Sequence, residues 1–169
     1  MEIHQKIKSQ IDDDGFAVVE GKLLGLDVEG LSRALSSFIL KCGFQSFPSD
    51  LAQSNLLDLI GQLHRLEVGR EHTSALYEFL PTIPELQRFA SSEKLISLLK
   101  DLGLESPTIG TAPLVRIDRP GEEWRSTPWH QDYWFSFASF DSIVVWVPMG
   151  PISREMGFLS GLPGSHKSG

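Results

Sequence analysis

Thr127-Pro-Trp-His-Gln-Asp-Tyr-Trp-Phe135 gathers four aromatic side chains around one histidine and one carboxylate. On a strand, successive side chains alternate between faces, so His130 and Asp132 share one face roughly 6.5–7 Å apart along the backbone while Gln131 points the other way. An imidazole and a carboxylate placed like this can share one ion. They supply two ligands of a 2-His-1-carboxylate facial triad, whose open positions suit non-haem Fe(II) and oxygen. The third ligand must come from elsewhere in the fold. His-X-Asp alone recurs often and usually marks a hydrogen-bonded surface pair. The flanking Trp129, Tyr133 and Trp134, and a second apolar run ending near Trp146, suit a metal site in the mouth of a barrel.

Outward from this stretch the chain divides in two. Nine of the 16 Phe, Trp and Tyr residues, including all four Trp, lie after position 110, so the two parts should differ in architecture. From Thr108 onward, short apolar runs (Leu114–Ile117, Trp129–Phe135, Ile143–Val147, Gly157–Ser160) alternate with Pro and Gly clusters, which predicts antiparallel sheet. Upstream, Asp14-Gly-Phe-Ala-Val-Val19 reads as a short strand. Helical spacing then links Leu31, Leu35, Phe38, Ile39 and Cys42, and again Leu56, Leu59, Ile60 and Leu63. A shorter helix is expected from Ser74 to Leu80. Another should be capped by Ser91 or Ser92, bury Leu95, Leu98, Leu99 and Leu102, and stop at Gly103. Residues 1–107 are therefore expected to be mainly helical and 108–169 to hold the first core strands of one α+β domain.

The 169 residues suit one domain, and 41% hydrophobic with 22% charged residues is an ordinary globular mix that excludes a disordered tail or a coiled coil. A net charge of −7 argues against a nucleic-acid partner. Cys42 is the single cysteine, so neither an internal disulfide nor a thiolate-rich zinc site can be built, and a cytoplasmic setting is expected. No signal-peptide layout and no apolar run long enough to span a membrane is present, so no membrane partner is expected.

Four ordered motifs carry a family resemblance: Trp129-His-Gln-Asp-Tyr-Trp134, Ile143-Val-Val-Trp-Val-Pro-Met149, Ile152-Ser-Arg-Glu-Met-Gly-Phe-Leu159 and Leu162-Pro-Gly-Ser-His-Lys167. Together they resemble the phytanoyl-CoA dioxygenase family of Fe(II)- and 2-oxoglutarate-dependent oxygenases. Asp13-Asp-Gly-Phe-Ala-Val-Val-Glu-Gly21 resembles that family's opening strand, so the likeness runs from about residue 11 to the end. The resemblance implies a double-stranded β-helix, a jelly-roll relative of the cupins, with N-terminal helices packed on the sheet. It also implies that His130 and Asp132 are iron ligands and that Trp146 and Leu114 line the pocket for 2-oxoglutarate. The implied reaction is hydroxylation of a small organic substrate by O2, with 2-oxoglutarate converted to succinate and carbon dioxide.

In that family a second histidine, downstream of the Pro-Gly-Ser-His turn, completes the triad, and a later arginine binds the distal carboxylate of 2-oxoglutarate. No residue of this chain matches either position. His166 lies 36 residues beyond His130, but the equivalent turn histidine of relatives is not a ligand. The motif order therefore predicts that these 169 residues hold only the first half of the barrel. Two other readings stay open beside the oxygenase: a catalytically silent fragment or binding module, and a cupin-like metal- or small-molecule-binding protein.

The remaining candidates have plainer readings. His4 falls in a segment expected to fray, while His64 and His72 flank helices. Cys42 reads as a core residue, and Asp12-Asp-Asp14 as a solvated turn without EF-hand spacing. Arg116, Arg119 and Arg125 read as surface charge that would otherwise orient an acidic substrate. Gly161-Leu-Pro-Gly-Ser165 lacks the helix and lysine of a phosphate loop and reads as a turn.

Overall fold

The structure is a computed structural model that describes residues 2–41, 55–65, 76–109, 113–118, 127–132 and 141–168. Cys42, His72, Arg119, Arg125 and the side chains of Leu63 and His64 lie outside the described residues. Six α-helices are described: α1 (Glu2–Asp14), α2 (Gly21–Leu24), α3 (Val28–Lys41), α4 (Leu56–Arg65), α5 (Pro84–Ala90) and α6 (Glu93–Asp101). Helical residues 76–79 run into a 3-10 turn at Leu80–Thr82, and two more 3-10 turns occupy Arg154–Met156 and Ser165–Lys167. Among the described residues no helix is long and apolar enough to cross a membrane.

The larger core is built on α3, where Leu31, Leu35 and Ile39 recur every fourth residue and so fall on one face. That face meets Leu56 of α4, then Leu76, Leu80, Ile83 and Leu86 leading into α5, and Ile117 from the later part of the chain. Local chemistry sets where these helices begin. Asp27 accepts the Gly30 N–H at 2.8 Å ahead of α3, and Asn55 accepts the Asp58 N–H at 3.0 Å ahead of α4, each satisfying an amide that the first turn leaves unpaired.

A second, smaller cluster joins Ile7 of α1 to Leu95 and Leu98 of α6. α1 corrects two expectations from the sequence. His4 does not sit in a fraying segment but pairs through Nδ1 with the Asp101 carboxylate at the end of α6. Asp12, Asp13 and Asp14 form the last turn of this helix rather than a solvated turn before a strand. The signal was present, because Ile3, Ile7 and Ile11 repeat at four-residue spacing, but lysines and other polar residues between them hid a narrow stripe.

The strand expected at 14–19 is likewise replaced by the end of α1 and an irregular segment. Its period-two pattern survives, with Ala17 and Val19 packed on the smaller cluster and Val18 exposed. The alternation is used against helices instead of a sheet. In the same way Val115 and Ile117 turn inward while Leu114, Arg116 and Asp118 face solvent. This segment is clamped by Tyr77, whose hydroxyl donates to the Ile117 carbonyl at 2.6 Å and accepts the Ile117 N–H at 3.1 Å. Residues 141–153 and 157–162 run without regular strand pairing among the described residues, and 133–135 of the Trp129–Phe135 run lie outside them.

α6 begins at Ser92, whose carbonyl accepts the Ile96 N–H at 3.0 Å but whose hydroxyl makes no capping bond; Ser91 instead donates to the Gln87 carbonyl at 2.7 Å, closing α5. Gly103 ends α6 at φ +113, with its N–H on the Lys100 carbonyl and the Leu104 N–H on the Leu99 carbonyl, both at 3.0 Å. Nothing lies within 4 Å of the position a Cβ would take, so Gly103→Ala isolates the cost of a left-handed backbone. We expect a loss of about 1 kcal/mol, read by urea denaturation; an unchanged midpoint would show that the helix end relaxes without cost.

Candidate metal centre

His130 and Asp132 lie on segment 127–132, whose course is set at its start by Pro128. The proline supplies a carbonyl two residues before the imidazole, and His130 Nδ1 donates to it at 2.7 Å. A carbonyl can only accept, so this bond fixes the proton on Nδ1 and leaves Nε2 to face the carboxylate. Nε2 lies 3.0 Å from Asp132 Oδ1. The sequence expectation placed the two side chains on one side through strand alternation. The structure brings them together through an irregular backbone that turns at Asp132.

Electrostatics follow from this geometry. The Pro128 carbonyl does most to hold the His130 pKa above its ordinary 6.5; desolvation opposes it, and the Asp132 carboxylate adds a further upward push. Without a metal, the proton on Nε2 is what reconciles a nitrogen lone pair with an anionic oxygen. A divalent cation does the same work. At metal–ligand distances of roughly 2.1 Å, two ligands at a right angle stand roughly 3.0 Å apart, so the observed separation fits a shared ion as well as a shared proton. The donor set, one neutral imidazole nitrogen and one carboxylate oxygen, also suits Fe(II). Among the described residues no group of three or more His, Cys, Asp and Glu side chains comes together to hold a metal.

Two braces hold this segment. Arg116 Nη1 donates to Thr127 Oγ1 at 3.1 Å while its Nε lies 2.8 Å from Asp118 Oδ1, so its guanidinium is engaged in structure at the start of the segment. Gln131, between the two candidate ligands, donates through Nε2 to the Ser165 carbonyl at 3.3 Å. Neither brace was legible in the sequence, because each joins segments whose separation no local pattern records. His166 is turned to another use, its Nε2 donating to the Asp12 carbonyl at 3.3 Å.

Trp146 and Leu114 are 47% and 87% exposed, and among the described contacts neither is joined to the pair. A cleft of about 350 Å³ between Val28, Glu29, Ser32 and Arg33 of α3 and residues 148–150 contains no residue of segment 127–132.

Comparison with known proteins gives one finding. The sequence model of the phytanoyl-CoA dioxygenase (PhyH) family matches residues 63–169, more than half of the chain and including both His130 and Asp132. The match begins well after the Asp13–Gly21 stretch in which the sequence resemblance started. No curated protein and no solved structure matches the chain.

Proposed function

The chain belongs to the phytanoyl-CoA dioxygenase family, and on that premise we propose that it supplies two iron ligands of a non-haem Fe(II)- and 2-oxoglutarate-dependent dioxygenase that hydroxylates a small organic substrate, the third ligand and the 2-oxoglutarate arginine having no match among its 169 residues. His130 Nε2 and Asp132 Oδ1 are the two iron ligands of this reading. The observation that carries it is the Nδ1–H bond to Pro128, which presents Nε2 to a carboxylate oxygen 3.0 Å away. The fold that accompanies it is the double-stranded β-helix, with the helices of residues 1–107 packed outside its sheet and Trp146 and Leu114 beside 2-oxoglutarate.

Bound Fe(II) supplies oxygen activation coupled to the oxidative decarboxylation of 2-oxoglutarate. The protein's own groups do the positioning. Pro128 O keeps the imidazole in one tautomer and one orientation, as outer partners of metal-bound histidines do. Asp132 contributes the negative charge that offsets part of the ion's.

Turnover is tested by following succinate release from 2-oxoglutarate with and without Fe(II) across a panel of small carboxylic, acyl and amino substrates. Iron-dependent succinate formation is expected where a further histidine completes the triad and an arginine holds the distal carboxylate of 2-oxoglutarate. No turnover, together with equally tight binding of Zn(II), would favour the cupin-like binding protein instead.

The pH dependence of metal binding probes the ligands directly. The metal must displace the proton from Nε2, so affinity falls about tenfold per pH unit below the His130 pKa and is level above it. Because that pKa is raised, the fall begins at higher pH than for an ordinary histidine. Mn(II) binding followed between about pH 5.5 and 8.5 reads this directly; an affinity indifferent to pH would remove His130 from the ligand set.

A further inference from the structure

The last turn of α1 carries three aspartates at the end of the helix where the dipole already places negative charge. Its final carbonyls have no partner within the helix and need donors from outside. The turn containing His166 supplies them. Gly164 donates its N–H to the Asp14 carbonyl at 2.9 Å, and His166 Nε2 donates to the Asp12 carbonyl at 3.3 Å.

Close approach is possible because residue 15 is glycine. A Cβ there would stand 2.5 Å from His166 Nδ1 and 2.8 Å from Cγ, so the ring occupies the space that any other residue would fill. Phe16 adds an apolar contact on the other side of the turn, where a Cβ on Gly161 would meet its ring at 2.9 Å. The turn is therefore seated on the end of α1 by two hydrogen bonds and two glycine-dependent contacts.

The same turn touches the candidate metal centre. Ser165, next to His166, offers its carbonyl to Gln131 Nε2 at 3.3 Å, and Gln131 is the residue between His130 and Asp132. α1 lies outside the residues matched by the family model, whereas the pair lies inside them.

We propose that His166 is a positioning residue for His130 and Asp132: seated on the C-terminus of α1, its turn holds the Ser165 carbonyl within reach of Gln131 and so fixes the backbone between the two ligands. The inference rests on the reading of those two residues as a metal pair. His166 acts through Gln131 and does not itself touch the ion. The backbone orientation at 131 governs how the flanking side chains converge, so loosening the tie spreads the pair.

The test uses Mn(II) as the probe and a second readout without metal. His166→Ala should weaken Mn(II) binding by about three- to tenfold, less than the ~10–100-fold typical when a direct partner of a ligand is lost. His166→Gln, which keeps a side-chain N–H for the Asp12 carbonyl, should restore most of it. Gln131→Ala cuts the tie from the other side with the end of α1 intact and should give a similar loss; in that background His166→Ala should add nothing. In the metal-free protein, the His130 ring Cε1–H resonance should move in His166→Ala and return in His166→Gln.

An undiminished effect of His166→Ala in the Gln131→Ala background, or unchanged Mn(II) affinity in both single variants, overturns the proposal. If wild type binds no Mn(II) while the His130 resonance still responds, the strut stands and the metal reading falls. If Mn(II) binds equally in every variant and the resonance stays put, the metal reading stands and the strut falls.

Discussion

His130→Ala lowers Fe(II) and Mn(II) affinity by about a hundredfold or more, beyond the ~10–100-fold that loss of an outer partner costs, because it removes a ligand outright. The substitution deletes the Nε2 donor and leaves Asp132 as a single carboxylate, which holds a divalent ion weakly in water. Asp132→Asn should act in the same direction: the amide keeps an oxygen near Nε2 but contributes no negative charge. The metal-free proteins should melt as wild type does, since the side chains are 31% and 55% exposed and an exposed pair adds little to stability. That contrast separates a metal centre from a structural ion pair. His4→Ala, at the far end of α1, serves as the control and should leave metal affinity unchanged. Calorimetric titration of Mn(II) into each variant measures the outcome, and full affinity in His130→Ala would sink the assignment of the pair.

Ile39→Ala gives the largest expected effect on the fold. Its side chain is fully buried, on the face of α3 that meets α4 and the segment leading into α5. Truncation removes three buried carbons and leaves a space that three rigid helices cannot readily close, so the loss should be about 3–4 kcal/mol. In a protein whose whole stability is of order 5–15 kcal/mol, this is a large share. The melting temperature should fall by roughly 6–16 °C for a chain of this size. Ile39→Val keeps the β-branch and should lose only about 1 kcal/mol. Urea denaturation of the pair of variants checks both numbers; similar midpoints would mean that the core repacks around the gap.

The two predictions probe features that were legible in the sequence to different degrees. Leu31, Leu35 and Ile39 lie four residues apart, so any helix over them presents one apolar face whatever it packs against. Gly103 could be read for the same reason, since a left-handed helix end favours the residue without a Cβ. α1 shows the limit of such reading. Ile3, Ile7 and Ile11 form an equally regular stripe, but one apolar residue per turn among charged neighbours becomes persuasive only once Leu95 and Leu98 cover it.

For the candidate site, residue identity and spacing were enough to single out His130 and Asp132, because two positions apart on an extended chain share a side and their donor atoms suit one ion. How they meet was not in that spacing. The backbone turns at Asp132, and Pro128 O selects the nitrogen that faces the carboxylate. The partners of the turn at 162–168 were further from reach. His166 and Asp12 are 154 positions apart, and a carbonyl freed by the end of one helix identifies no donor until folding brings one beside it. Local chemistry thus determined which groups could act, while their mutual orientation followed from contacts between segments distant in the chain, which no local pattern of residues records.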